Sequence, residues 1–293
     1  MDYARGRITK KQLARTIEKD RTYLIDLQRR AGFKFITDGM LTWGDLFGPF
    51  TRFLGGVEAG PLKRWFNNNT FYWTPKVTRK VKRTTRILAP FIQTSGHVNK
   101  LIVPGPYTFS RLAENRYYRD VNELMFDFAQ ALNTELRSLS SRFRYLQFNE
   151  PCLAFRGSKN RDEAESIREA VRLASKNLKC ETCLHTYFGS VEGVYPWILD
   201  LPVDTIGIDF CETRLEDLAA VKFRKGLACG IVNARSSFIE DPLQIANFAK
   251  RAADRLSPRK VFICTSADLE YRPANIARKK ISAIAKAIQF LRE

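Results

Sequence analysis

The stretch 179–189, KCETCLHTYFG, concentrates residues able to do chemistry, since it carries two of the six cysteines and one of the two histidines in the chain. A histidine at this point can bind a metal through a ring nitrogen or hydrogen-bond a substrate near neutral pH, which makes His185 the first candidate. Cys180 and Cys183 have the spacing of half a zinc knuckle, but no second pair follows, and within a strand the two thiols point to opposite faces. Cys211 and Cys264 are the other thiols that could join His185 in a metal site, and alternation sets Asp209 and Cys211 on one face of their strand. The six cysteines, at 152, 180, 183, 211, 229 and 264, lie in or beside apolar runs. That is the habit of buried reduced thiols rather than of a disulfide framework.

These residues need elements to hold them. Apolar runs occur near 33–37, 71–79, 100–103, 144–149, 182–188, 204–210, 226–232 and 260–265, and amphipathic helical patterns fill most of the gaps: 121–139, 162–177, 215–223, 242–256 and a closing helix over 273–291. Strands alternating with helices predict an α/β chain with parallel βα units, here a (β/α)8 TIM barrel. A helix over 8–31 precedes it, and a polar and aromatic insertion over 51–99 surrounds the second strand. No Pro/Gly/Ser-rich linker divides the chain, so residues 1–293 read as a single domain.

A barrel builds its site from the loops after its strands. The strand ends supply Asp38 and Met40, then Gln147, Asn149 and Glu150, then His185 and Tyr187, then Asp209 and Cys211, and finally Arg235, with Thr265, Ser266 and Asp268 after the last strand. For Glu150 a substrate contact and a structural carboxylate capping a loop are both open. The aromatic cluster Trp65, Phe66, Phe71, Tyr72 and Trp73, interleaved with Asn68 and Asn69, can stack on a flat ring or pack the insertion onto the barrel.

Charge and hydropathy exclude several classes. No apolar run is long enough to span a membrane and no secretion signal is present, so the chain reads as cytoplasmic and soluble. Lys and Arg number 49 against 31 Asp and Glu, a net charge of +18. Only 77–86, with Arg79, Lys80, Lys82, Arg83 and Arg86, forms a dense basic block, and no nucleic-acid recognition signature accompanies it.

In order along the chain, ITDGMLTWGDLFGPF from 36, LKRWFNNNTFYWTPKV from 62, VPGPYTFSRL from 103, LQFNEP from 146, HTYFG from 185 and LPVDTIGIDF from 201 resemble the cobalamin-independent methionine synthase family over nearly the whole length. The resemblance implies methyl transfer from a reduced methyl-pterin, or in some relatives a methyl-corrinoid, to the thiol of homocysteine in methionine biosynthesis. In that family's catalytic barrel a zinc ion lowers the pKa of the thiol.

The departures matter as much as the matches. The family's catalytic barrel takes zinc on His-x-Cys, a Glu and a later Cys; the matching positions here are His185, Tyr187, Asp209 and Ala267. A phenol is a poor zinc ligand at neutral pH and alanine is none. The family's acidic residue after strand one is Met40 here, and the Asp of its QxDEP motif is Asn149. The pattern resembles the non-zinc, N-terminal-type barrel, standing alone. It implies a separate zinc-bearing barrel as partner, no resident cofactor, and methyl-pterin as co-substrate. The implied catalytic residues are Glu150, Asn149 and Asp209; the substrate contacts are Asp38, Met40, Gln147, His185, Tyr187, Trp73, Tyr72 and Arg235. His185 is the metal candidate, with Asp209 and Cys211 as co-ligands. A non-catalytic pterin-binding or scaffold subunit is the alternative.

Overall fold

The computed structural model describes residue 3, residues 5–92, 96–156 and 160–292. In chain order the helices are α1 (Lys10–Arg30), α2 (Gly48–Phe53), α3 (Pro106–Leu112), α4 (Val121–Arg137), α5 (Pro151–Arg156), α6 (Arg161–Ser175), α7 (Pro242–Leu256) and α8 (Ala274–Phe290). The strands are β1 (Gly55–Arg64), β2 (Phe71–Lys82), β3 (Lys100–Pro104), β4 (Glu114–Asn115), β5 (Tyr145–Asn149), β6 (Glu181–His185), β7 (Thr205–Asp209), β8 (Gly226–Val232) and β9 (Lys260–Thr265).

β3, β5, β6, β7, β8 and β9 pair in that order as one parallel sheet. Its central strands are buried at every position of β5 and β7, as expected where helices cover one face and the barrel interior lies on the other. Local chemistry agrees with the helix boundaries. Thr9 and Gln12 form a capping box at the start of α1, and Asp241 accepts from the Gln244 amide with Pro242 in the first turn of α7.

The α/β class and the barrel layout hold, with two corrections to the strands. Residues 33–37 form no strand. They are tied to the start of β3 instead by Asn99, whose Oδ1 accepts from the Ile36 amide at 2.8 Å while the Asn99 and Lys100 amides donate to the Ile36 carbonyl. Phe35 stacks on Tyr145 of β5 at 4.2 Å and faces Phe262 of β9 at 5.6 Å, so this segment plugs the gap between the two edges of the sheet with rings rather than with a ladder. The run at 71–79 is a strand, but it pairs antiparallel with β1 and parallel with β4 in a separate three-stranded sheet. The helix expected over 215–223 is a single 3-10 turn, Leu215–Leu218.

Two buried ionic groups fix the periphery. The fully buried Glu135 of α4 accepts from the Ile87 and Leu88 amides and from Arg83 Nε at 2.6 Å, which moors the segment after the hairpin. Lys280 of α8 is likewise buried and donates to both oxygens of Glu240 and to the Phe238 carbonyl. One principal apolar cluster runs from Ile25 to Ala267 and includes hairpin, sheet and helices. Among the described residues no helix is long and apolar enough to cross a membrane.

Candidate active site

At the C-terminal ends of β5 and β6, Asn149 and His185 stand opposite one another in register. Gln147, two residues earlier on the same face, donates to Asn149 Oδ1 at 2.7 Å and lies 3.1 Å from His185 Nδ1. With the amide donating, Nδ1 accepts, and the imidazole proton sits on Nε2. Burial, aided by the nearby Lys100 ammonium, holds the His185 pKa down at about 3, so the ring is neutral. It packs against Gly207, where a Cβ would overlap the ring. His185 Nε2, Asn149 Nδ2 and the Tyr187 hydroxyl are buried without a hydrogen-bond partner. Such atoms cost stability unless water or a ligand meets them.

Tyr187 forms part of the wall of a cavity of about 280 Å³ at this end of the sheet. Trp43, Trp65, Tyr72 and Tyr271 supply aromatic walls, and Asp45, Asp268 and Glu270 supply carboxylates. Trp43 Nε1 and Thr70 Oγ1 add two more buried polar atoms without partners. Asp45 is held by the Phe47 and Trp73 amides at 2.7 and 2.9 Å. Asp268 and Glu270 make no hydrogen bond or ion pair among the described residues. Burial raises the pKa of Asp268, and it raises Glu270 to about 7 with further help from the negative charges of Asp268 and Asp45. Carboxylates set among aromatic walls are groups that can receive a cation when ionised.

The residues expected from sequence divide between this cavity and its supports. Met40, Tyr72 and Tyr187 line it. Gln147, Asn149 and His185 form the polar cluster beside it. Asp38 is buried and accepts from the Met40 amide at 3.0 Å, closing a turn in which Gly39 and Met40 both have positive φ. Trp73 is 51% exposed and does not line the cavity; its contribution is the backbone amide on Asp45.

Glu150 is fully buried, and its two oxygens accept from the Tyr107 and Thr108 amides at 2.9 and 2.7 Å, the first turn of α3. Burial nonetheless raises its pKa to about 7. Asp209 accepts from the Cys211 and Phe188 amides. Arg235 pairs with Glu212 and lies 5.4 Å over the Phe188 ring.

Asp45, Glu270, Trp43 and Tyr271 were not singled out by sequence reasoning. The signal for Glu270 was its i, i+2 spacing from Asp268 just beyond the last strand. For Asp45 it was position in the same loop as Met40, where this chain lacks the family's carboxylate.

The residues at the family's zinc positions do not compose a zinc site. Both Asp209 oxygens are held by amides. The Cys211 thiol faces the Gly230 and Ile231 carbonyls, and partial desolvation of the sulfur together with the Asp209 charge pushes it up to about 12. Ala267 offers no donor. Among the described residues no three His, Cys, Asp or Glu side chains converge to hold a metal. The C-x-x-C pair is split: Cys183 is buried in β6, whereas Cys180 precedes that strand at the opposite end of the sheet, and both are free thiols.

The family description "Cobalamin-independent synthase, N-terminal domain" matches residues 50–256. The chain belongs to that family. Within it, a methionine synthase of Sulfurisphaera tokodaii is 24% identical over 296 residues, covering 98% of this chain and 86% of the relative. One of Saccharolobus solfataricus is 26% identical over 274 residues, covering 90% and 81%. Among solved structures, a B12-independent methionine synthase from a Shewanella species in complex with selenomethionine superposes with TM-score 0.81 at 19% identity, covering 98% of this chain and 90% of that one. A putative vitamin-B12-independent methionine synthase from Listeria monocytogenes gives 0.72 at 17% identity, covering 98% and 91%. These likenesses extend along nearly the whole chain, and the matched description is that of the family's N-terminal domain.

Proposed function

We propose that this cobalamin-independent synthase barrel serves methyl transfer to homocysteine, forming methionine, and that the cavity at the strand ends holds the amino-acid end of substrate and product. The observation that carries this reading is the pair of unpartnered carboxylates, Asp268 and Glu270, in an aromatic pocket. An ionised carboxylate gives an ammonium charge-assisted hydrogen bonds, and the faces of Trp43, Trp65 and Tyr271 favour both the cation and a thioether chain. Tyr187 and the neutral His185 offer O–H and N–H donors for the substrate carboxylate. Asp45 takes over the negative charge that Met40 cannot provide. In this reading Asn149 and Asp209 shape the mouth, and Glu150 acts by fixing α3 rather than by touching substrate.

Transfer forms the sulfur–carbon bond as the bond between methyl and its donor breaks, and it needs a thiolate. We assign the thiolate to a separate zinc-bearing barrel of the same family, since Tyr187 and Ala267 stand at two of the family's zinc-ligand positions, with a methyl-pterin or methyl-corrinoid as donor, in the cytoplasm. In this reading the chain acts as one domain over residues 1–293, supported by a principal apolar cluster that joins hairpin, sheet and helices.

The test is homocysteine methylation measured with this chain alone, with the zinc-bearing barrel alone, and with both. Synergy supports the reading, and full activity from this chain alone with stoichiometric zinc overturns it. The aromatic walls also favour a second reading, a pterin-binding subunit without turnover. It predicts pterin binding, no methionine binding and no synergy.

A further inference from the structure

The opposite end of the sheet carries a second cavity, larger than the first and of contrary charge. It is an open bowl of about 730 Å³ where β5, β6, β7, β8 and β9 begin. Arg144, Lys179, Arg259 and Lys260 reach it from the residues that start or precede β5, β6 and β9, with Phe143 and Leu178 as its apolar wall.

Its two carboxylates are already engaged. Asp204 accepts from the Thr182 amide and hydroxyl, each at 2.8 Å, and Glu181 pairs with Lys260 at 3.3 Å. Arg144, Lys179 and Arg259 are left: their side chains make no ion pair or hydrogen bond among the described residues. They line one concavity and carry like charge. The C-termini of α4, α6 and α7 lead into these strands, so helix dipoles favour some positive charge at this face. Each contributes roughly half an elementary charge, screened at the surface, which offsets only part of the excess of four cations over two carboxylates in the bowl.

We propose that this bowl binds a compact polyphosphate, of the inorganic oligophosphate or nucleoside polyphosphate class. Two guanidinium groups offer forked donors that match phosphate oxygens, and the ammonium of Lys179 adds a point charge. The volume falls within the roughly 300–1,000 Å³ of small-molecule sites. Convergence on a bowl, rather than spread along a stripe, favours a small ligand over an extended nucleic acid. The site lies at the far end of the strands from the acidic cavity and is independent of the methyl-transfer reading.

The experiment titrates the intact chain with tripolyphosphate and with adenosine triphosphate by calorimetry at about 0.15 M NaCl, where long-range effects of net charge are largely screened. Binding by wild type that weakens about tenfold or more in Arg144→Ser/Arg259→Ser supports the proposal. Equal affinity for the two probes assigns the site to oligophosphate, and a clear preference for adenosine triphosphate assigns it to a nucleotide. No binding, or binding that the double variant retains, overturns the proposal, as does binding confined to a single-stranded RNA twenty-mer. A second readout needs no variant: tripolyphosphate should protect Lys179 and Lys260 from acetylation, mapped by mass spectrometry, while leaving Lys63 unprotected. Uniform labelling with and without the probe also overturns it.

Discussion

A carboxylate must be ionised to hold an ammonium, and Glu270, raised to about 7, is ionised over only part of the working range. Methionine affinity should therefore be highest above about pH 8 and weaken as pH falls through about 7, because protonation removes the acceptor charge. Glu270→Gln should lower affinity at about pH 8 by roughly 10-fold or more, the value of one charge-assisted hydrogen bond, and flatten the profile. Calorimetric titration with L-methionine from about pH 6 to about pH 8 checks both; a flat wild-type profile would sink the assignment. Tyr187→Phe tests the other half of the pocket. Removing a buried hydroxyl that lacks a partner should stabilise the ligand-free chain by about 1 kcal/mol in urea unfolding while weakening methionine binding. At this scale the sequence pointed to the end of the sheet where the acidic cavity lies, through His185, Tyr187 and Met40, but not to Asp45 or Glu270. Those two come to line one cavity only when loops distant in sequence fold over one another, and no local spacing encodes that.

At the scale of elements, α3 is set in place by one carboxylate. Glu150 receives the first amides of the helix, and Gly105 is required because a Cβ there would overlap the carboxyl group. Gly105→Ala should destabilise the chain by about 2–4 kcal/mol through displacement of a buried hydrogen-bonded group, read from the urea midpoint. The sign of the pH effect follows from the raised pKa. The folded state binds the Glu150 proton more tightly than the unfolded state, so this stabilisation is complete below about pH 4.5 and is lost as pH rises through about 7, a change of about 3 kcal/mol. Glu150→Gln keeps an acceptor without the titration and should show a shallower fall in stability over that range. β3, β5, β6, β7 and β8 were legible because near-complete burial gives continuous apolar runs, and β9, only partly buried, by its β-branched and aromatic residues. The first strand was not, since FKFIT has strand composition but meets Asn99 and the rings of Tyr145 and Phe262 where a ladder partner was expected. β1 was missed because GGVEAGPLKR is polar and exposed along much of its length, and its pairing with β2 is fixed across the turn rather than by a buried face.

At the scale of the whole molecule, the net charge of +18 is arranged unevenly: carboxylates meet at the mouth of the barrel, while unpaired cations meet at its base. Composition alone left that asymmetry invisible, because the charges are dispersed along the chain and gather only when successive strands begin at one face and end at the other. Several surface ion pairs join neighbours three residues apart, such as Arg168 with Glu165 and Arg172 with Glu169, and exposed pairs of this kind contribute little. Like-charge repulsion should therefore outweigh surface attraction, and added salt should stabilise the fold. Raising NaCl from about 0.1 M to about 1 M shortens the screening length from about 10 Å to about 3 Å, so the urea midpoint should rise over that range. Urea is the required denaturant, since guanidinium is itself a salt. If repulsion at the barrel base is a main contributor, Arg144→Ser/Arg259→Ser should start from a higher midpoint at low salt and gain less from NaCl than wild type. A midpoint that falls with salt would mean that attractive pairs dominate the surface, and the base of the barrel would then need no anion to relieve it.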